Sequence, residues 1–173
     1  SSAAVEFGAA WFQAKSVEGV RRLPVDERRR FFSMALEVTS KMNSRECAAV
    51  LRGKLDAVAS GIAEIAIVQE FDLNWISTYL SITRMALIAE LGKYPAFIPL
   101  TPSERRFAEE ALSSKLIADL EKDPRSEFLV LGAELSPSAP DEAVCGFGLL
   151  VMNSALSLEG QVGDWVVRYL SES

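Results

Sequence analysis

The sequence predicts an all-α fold: a single-domain irregular bundle of about seven or eight helices with little or no sheet. Three observations carry this expectation. Apolar residues recur at helical spacings of three and four along most of the chain. Capping residues, glycines and prolines punctuate those runs. One short apolar stretch could be a strand, and it would have no partner elsewhere. The 173 residues, 49 % of them hydrophobic and 24 % charged, are enough for one core-bearing domain over 1–173.

The opening "VEFGAAWFQAKSV" predicts a short helix near 4–16, with Phe7, Trp11 and Phe12 apolar. "LPVDERRRFFSMALEVTSKM" predicts a helix from about 24 to 42, whose apolar face is Phe31, Met34, Ala35, Val38 and Met42. Over 44–71, Ser44 is the expected N-cap, and Leu51, Leu55, Val58, Ile62 and Ile65 form one stripe. Asp72 is the cap of the next helix, which ends at Gly92 and Pro95. It carries two adjacent stripes: Ile76, Leu80, Thr83 and Leu87, and beside them Tyr79, Ile82 and Ala86. The short join at Phe71–Asp72 favours an antiparallel hairpin between these two helices.

The proline-rich connection over 94–102 is too apolar for a flexible linker and is where any sub-boundary would fall. After it, Thr101, Pro102 and Glu104 spell a capping box, and Ala108, Leu112, Leu116 and Leu120 form the stripe of the helix it starts. A helix over 126–135, a turn at 136–140, and helices over 140–157 and 161–171 complete the chain.

Composition excludes several chemistries. The net charge of −6 opposes wholesale nucleic-acid binding. There is no histidine, which removes Ser-His-Asp and Cys-His nucleophiles and histidine metal ligands. No cofactor or metal is expected: Gly146-Phe147-Gly148 lacks the strand and spacing of a phosphate loop and reads as a close-packing site. No run approaches the roughly 20 apolar residues that span a bilayer.

Cys47 and Cys145, the only cysteines, each lie near a predicted helix start. Acidic neighbours (Glu46, Asp141, Glu142) oppose a reactive thiolate, and there is no C-x-x-C spacing. Two readings remain open, a disulfide between the two helix starts or two buried free thiols. The disulfide requires the 44–71 and 140–157 helices to begin side by side.

Four further features are candidates for binding. "RRLPVDERRR" holds Arg21, Arg22, Arg28, Arg29 and Arg30; Arg28 and Arg29 are candidate partner contacts, against a solvated helix face offset by Asp26 and Glu27. Trp75 with Tyr79, and Trp165 with Tyr169, sit four residues apart; each pair is either a groove or interface wall or ordinary core packing. Glu64, Glu70, Asp72 and Glu90 are expected on exposed faces or in ion pairs with Arg84 and Lys93, since helical di-metal sites need histidine.

These observations lead to an expected non-enzymatic helical protein that binds another protein, a basic one given the acidic surface. A bacterial exported immunity or inhibitor protein is the concrete version. The alternative is a small-molecule-binding domain with an apolar pocket walled by Trp75, Tyr79, Trp165 and the "FIPL" segment. The small-residue opening "SSAAVEF" and the disulfide reading place the protein in the periplasm or outside the cell, with the cytoplasm as the alternative.

Overall fold

A computed structural model describes residues 11–12, 14–53 and 67–172. Among these residues there are eight helices and no strand. They are α1 over 14–20, α2 Val25–Lys41, α3 Ser44–Leu51, α4 Leu73–Gly92, α5 Pro102–Lys122, α6 Ser126–Val130, α7 Asp141–Leu156 and α8 Gly160–Glu172. The chain is an all-α irregular bundle, as its periodicity predicts. Phe7, Leu55, Val58, Ile62, Glu64 and Ile65 lie outside the described residues, and with them the start of the predicted 4–16 helix and the middle of the 44–71 stripe.

The centre of the bundle is α7, which packs against α2, α3, α5, α6 and α8. Its sequence explains the position. After Asp141 and Glu142 it carries no charge through Leu156, so every face is apolar or small, and such a helix belongs in the interior. Its two carboxylates sit in the first turn, where the helix dipole favours them. Gly146 and Gly148 leave room for Leu129 and Leu51; a Cβ at either glycine would collide with those side chains.

The start of α7 is bonded to α3. Cys47 and Cys145 form a disulfide with Cα atoms 5.4 Å apart, so the two helix starts do lie side by side. Just beyond it, Arg52 donates to Asp141 Oδ1 (2.5 Å) and to the Ala139 carbonyl (2.7 Å), tying the end of α3 to the entry of α7.

Several boundaries differ from expectation. The 44–71 segment is not one helix. α3 ends at Leu51, Arg52 caps it, and Gly53 takes a left-handed φ of 63°, the ordinary glycine stop. Its N-cap is Asn43 rather than Ser44: the Asn43 side chain accepts from the Glu46 N–H at 2.9 Å. The first helix continues to residue 20. The left-handed residue that ends α4 is Lys93, with Gly92 still helical. The 126–135 stretch is helical only over Ser126–Val130; beyond it, bonds from Gly132 N–H to Leu129 O and Ala133 N–H to Val130 O close tight turns. Where the grammar was strongest the structure agrees. Asp72 caps α4 by accepting from the Trp75 N–H, and Thr101 and Glu104 make both bonds of the capping box on α5.

Two core clusters flank α7. One joins α1, α2 and α4 through Val20, Leu23, Met34, Ile82 and Ala86. The other joins α5, α7 and α8 through Ala108, Ala155 and Val166. Side chains from distant parts of the chain help to hold the connection over 94–101. Arg22 donates to Pro95 O, Arg168 donates to Ile98 O, and the buried Leu100 donates its N–H to Glu172.

The end of α4 holds a buried ionic centre. Glu90 is 1 % exposed. It accepts from Arg22 Nε at 2.8 Å and from Lys93 Nζ, with Arg21 at 3.9 Å. The hydrogen bonds from Lys93 and then Arg22 outweigh burial and lower its pKa from 4.5 to about 2. Unfolded chains therefore bind this proton first, and the stabilisation, complete above about pH 4.5, is lost as pH falls toward 2.

Two outcomes are expected. Cys47→Ser with Cys145→Ser should lower unfolding free energy by about 2–4 kcal/mol, since the bond closes a long loop; denaturant titration of the oxidised protein and the variant checks this, and equal midpoints would contradict it. Glu90→Gln should cost about 3 kcal/mol at neutral pH, leaving Arg22 without its carboxylate. It should also flatten the loss of stability between pH 4.5 and 2, which acid melts of variant and wild type compare directly.

Candidate functional site

The arginine run turns mostly inward. Arg22 serves Glu90 and Pro95. Arg28 is 8 % exposed, donates from Nε to Leu23 O at 2.7 Å and from Nη1 to Ser171 Oγ at 3.2 Å. Burial, and then the nearby Arg168, lower its pKa, while Glu172 raises it. Arg29 reaches across the bundle to the carbonyls of Leu156 (3.2 Å) and Leu158 (3.0 Å) and to Asp164 (3.5 Å). It thereby satisfies groups at the end of α7 that have no helical partner. Arg28 is buried and Arg29 part-buried, and both guanidinium groups are hydrogen-bonded within the fold. Sequence reasoning missed this because a charge run gives no direction for its side chains.

The aromatic pairs separate into two places. Trp75 and Tyr79 stack at 5.3 Å between centroids, with Phe71 stacked on Trp75 at 3.9 Å, a three-ring ladder at successive turns. This ladder borders the α1–α2–α4 cluster. Trp165 instead stacks on Phe107 at 5.9 Å, and Tyr169 lies under the Arg105 guanidinium, both bordering the α5–α7–α8 cluster. The four rings and the 97–100 segment therefore do not assemble one pocket.

The carboxylates are placed as follows. Glu70 pairs with Lys41, Asp72 caps α4, and Glu90 pairs with Lys93 and Arg22. Arg84 is exposed and takes no part in these pairs. Among the described residues no group of three His, Cys, Asp or Glu side chains could hold a metal ion. No helix among them is long and apolar enough to cross a membrane.

Between α2 and α4 lies a shallow, open surface depression in two adjoining halves. One half, about 320 Å³, is lined by Glu27, Arg30, Ser77, Thr78, Ser81, Ile82 and Met85. The other, about 380 Å³, is lined by residues that include Glu37, Asp72, Asn74 and Trp75, and the two halves share Arg30 and Thr78. Trp75 enters it through its edge, its Nε1–H donating to Glu37 Oε2 at 2.8 Å. Glu27 faces Arg30 at 3.8 Å through Oε1, while its Oε2 is buried with no donor. Three carboxylates against the one cation of Arg30 give the cleft an acidic character. The sequence signal that could have found it is the pair Glu27 and Arg30 on one helix opposite the hydroxyl-rich "STYLS" of the next.

Replacing Arg29 by Ala should cost about 2 kcal/mol, because two carbonyls lose their charged donor at once. Lys at this position should restore only part of it, having no fork to span both acceptors. Thermal melts of the two variants measure the order, and a lysine variant as stable as wild type would contradict it.

No protein-family model matches the chain, and neither a curated protein nor a solved structure resembles it at a significant level.

Proposed function

We propose that this protein acts without catalysis by binding another protein, a basic one, as an exported bacterial immunity or inhibitor protein would. The observation that carries the reading is the α2–α4 surface, where Glu27, Glu37 and Asp72 line two shallow depressions with Arg30 the one cation among the lining residues. A lysine or arginine of the partner would be drawn to these carboxylates, which would also steer its approach. The absence of histidine lowers the expectation of an enzyme. The disulfide supports an oxidising compartment such as the periplasm or the extracellular space.

One observation favours a second reading. The cleft volumes lie in the range of small-molecule sites, and Trp75 forms part of one wall. Against it stands the separation of Trp165 and the 97–100 segment from Trp75, which leaves no enclosed aromatic pocket among these residues.

The test is capture from extracts of the native host by the immobilised protein, beside a Glu37→Arg variant. A basic protein should be retained by the wild type, released by about 0.5 M salt and bound at least tenfold more weakly by the variant. An acidic partner, or retention unchanged by the variant, would overturn the proposal. A metabolite found by mass spectrometry in native material, lost on the same substitution, would favour the second reading.

A further inference from the structure

We propose that the seam between α3 and α7 is a redox-sensitive latch. Reduction of Cys47–Cys145 by a dithiol releases α3 while the rest of the bundle stays folded, and the reductant gains entry only when the end of α3 lifts. Cys47 is fully buried and Cys145 is 7 % exposed. An attacking thiolate must reach one sulfur to displace the other, so burial shields the bond while the seam is closed. Two contacts bracket it along α7. One turn after Cys145, the Leu51 side chain occupies the space beside Gly148. One turn before Cys145, Arg52, whose side chain is 8 % exposed, donates to Asp141 and to the Ala139 carbonyl. Both contacts come from the same end of α3, next to the left-handed turn at Gly53.

The two sides of the seam are unequally held. Besides α3, α7 packs against α2, α5, α6 and α8, and its far half is tied by Ser154 to Asp119 and by Arg29 to the Leu156 carbonyl. Among the described residues α3 lies chiefly on α7. It has eight residues, a length at which a helix on its own is marginal. Only Met42 and Asn43 separate it from α2, and within it only Cys47 and Ala48 are buried. Movement of α3 about the join at 42–43 therefore costs less than unfolding the bundle, and it is the opening that admits a reductant. The exchange then runs in two steps. One thiolate of the dithiol bonds to a cysteine sulfur and displaces the other as a thiolate, which takes up a proton. The second thiol, as its thiolate, closes on the first, so the reductant leaves as a disulfide and the chain keeps two thiols. With the bond cut, Ala48, Leu51 and Arg52 alone hold a short helix to its neighbour, and α3 swings free.

Reduction of the oxidised full chain by dithiothreitol, quenched by alkylation and followed by mass, tests this. Native protein should be reduced at least about a hundredfold more slowly than the same chain in denaturant. Leu51→Ala and Arg52→Gln, which loosen the seam, should each speed the native reaction by about tenfold. Arg29→Ala weakens the bundle away from the seam and should leave the rate unchanged. Hydrogen exchange of the reduced protein should show the α3 amides open while those of α5 and α7 stay protected. Reduction as fast as in denaturant overturns the shielding. Equal acceleration by Arg29→Ala and Leu51→Ala, or none by either seam variant, overturns entry through α3. A reduced protein whose α3 amides stay protected, or one that loses protection in every helix, overturns the latch.

Discussion

The Cys47–Cys145 bond is the constraint around which the rest is arranged. It joins two helix starts 98 residues apart in sequence, and it does so at the entry of the one helix that touches most of the others. α7 has no charged residue beyond its first turn, so it can pack against neighbours on several sides. Its register against α3 is set by the disulfide, by Leu51 seated against Gly148, and by Arg52 on Asp141. With α7 fixed, α5 and α8 close on one side of it. Ser154 of α7 donates to Asp119 of α5, which also holds Lys115, so a buried hydroxyl is satisfied at that seam.

The same accounting explains why an acidic protein places five arginines in ten residues. A bundle of short helices has many ends, and each end exposes carbonyls that need donors. Arg29 serves the carbonyls of Leu156 and Leu158, Arg28 serves that of Leu23, and Arg22 serves that of Pro95. Long forked side chains suit this work because one group reaches two acceptors from a neighbouring helix. The run is a set of internal ties. Only Arg30 remains largely in solvent, and it is the one that lines the cleft.

Local chemistry was legible, and three-dimensional direction was not. Asp72, Thr101 and Glu104 could be read as caps because a cap is a matter of a few adjacent residues. The disulfide was one of two open readings of the cysteines, because both lie near helix starts, and the structure decides for it. The break at Gly53 was hidden by a hydrophobic period that continues through it, from Leu51 to Leu55, whereas the glycine's left-handed backbone ends the helix. Asn43 and Ser44 are both good caps, and only the fold chooses between them. The Glu90–Lys93 pair was legible, being three residues apart, whereas the burial of Glu90 was not, because Arg21 and Arg22 lie about 70 residues away. The cleft was invisible for the same reason: Glu27 and Thr78 meet only when α2 lies on α4.

The two stripes of α4 are where this limit matters for function. Periodicity marks both as apolar and cannot say which one the fold uses. In the structure, Tyr79, Ile82 and Ala86 are used, and Leu73, Leu80, Ile88 and Leu91 are left over. The ends of α4 are nonetheless held firmly, by Asp72 at one and by the Glu90 centre at the other. Between those anchors the helix presents a straight apolar edge on one side and the rim of an acidic cleft on the other. On the proposed reading, a partner would meet the α2–α4 surface, and the disulfide and α7 would hold the bundle that carries it.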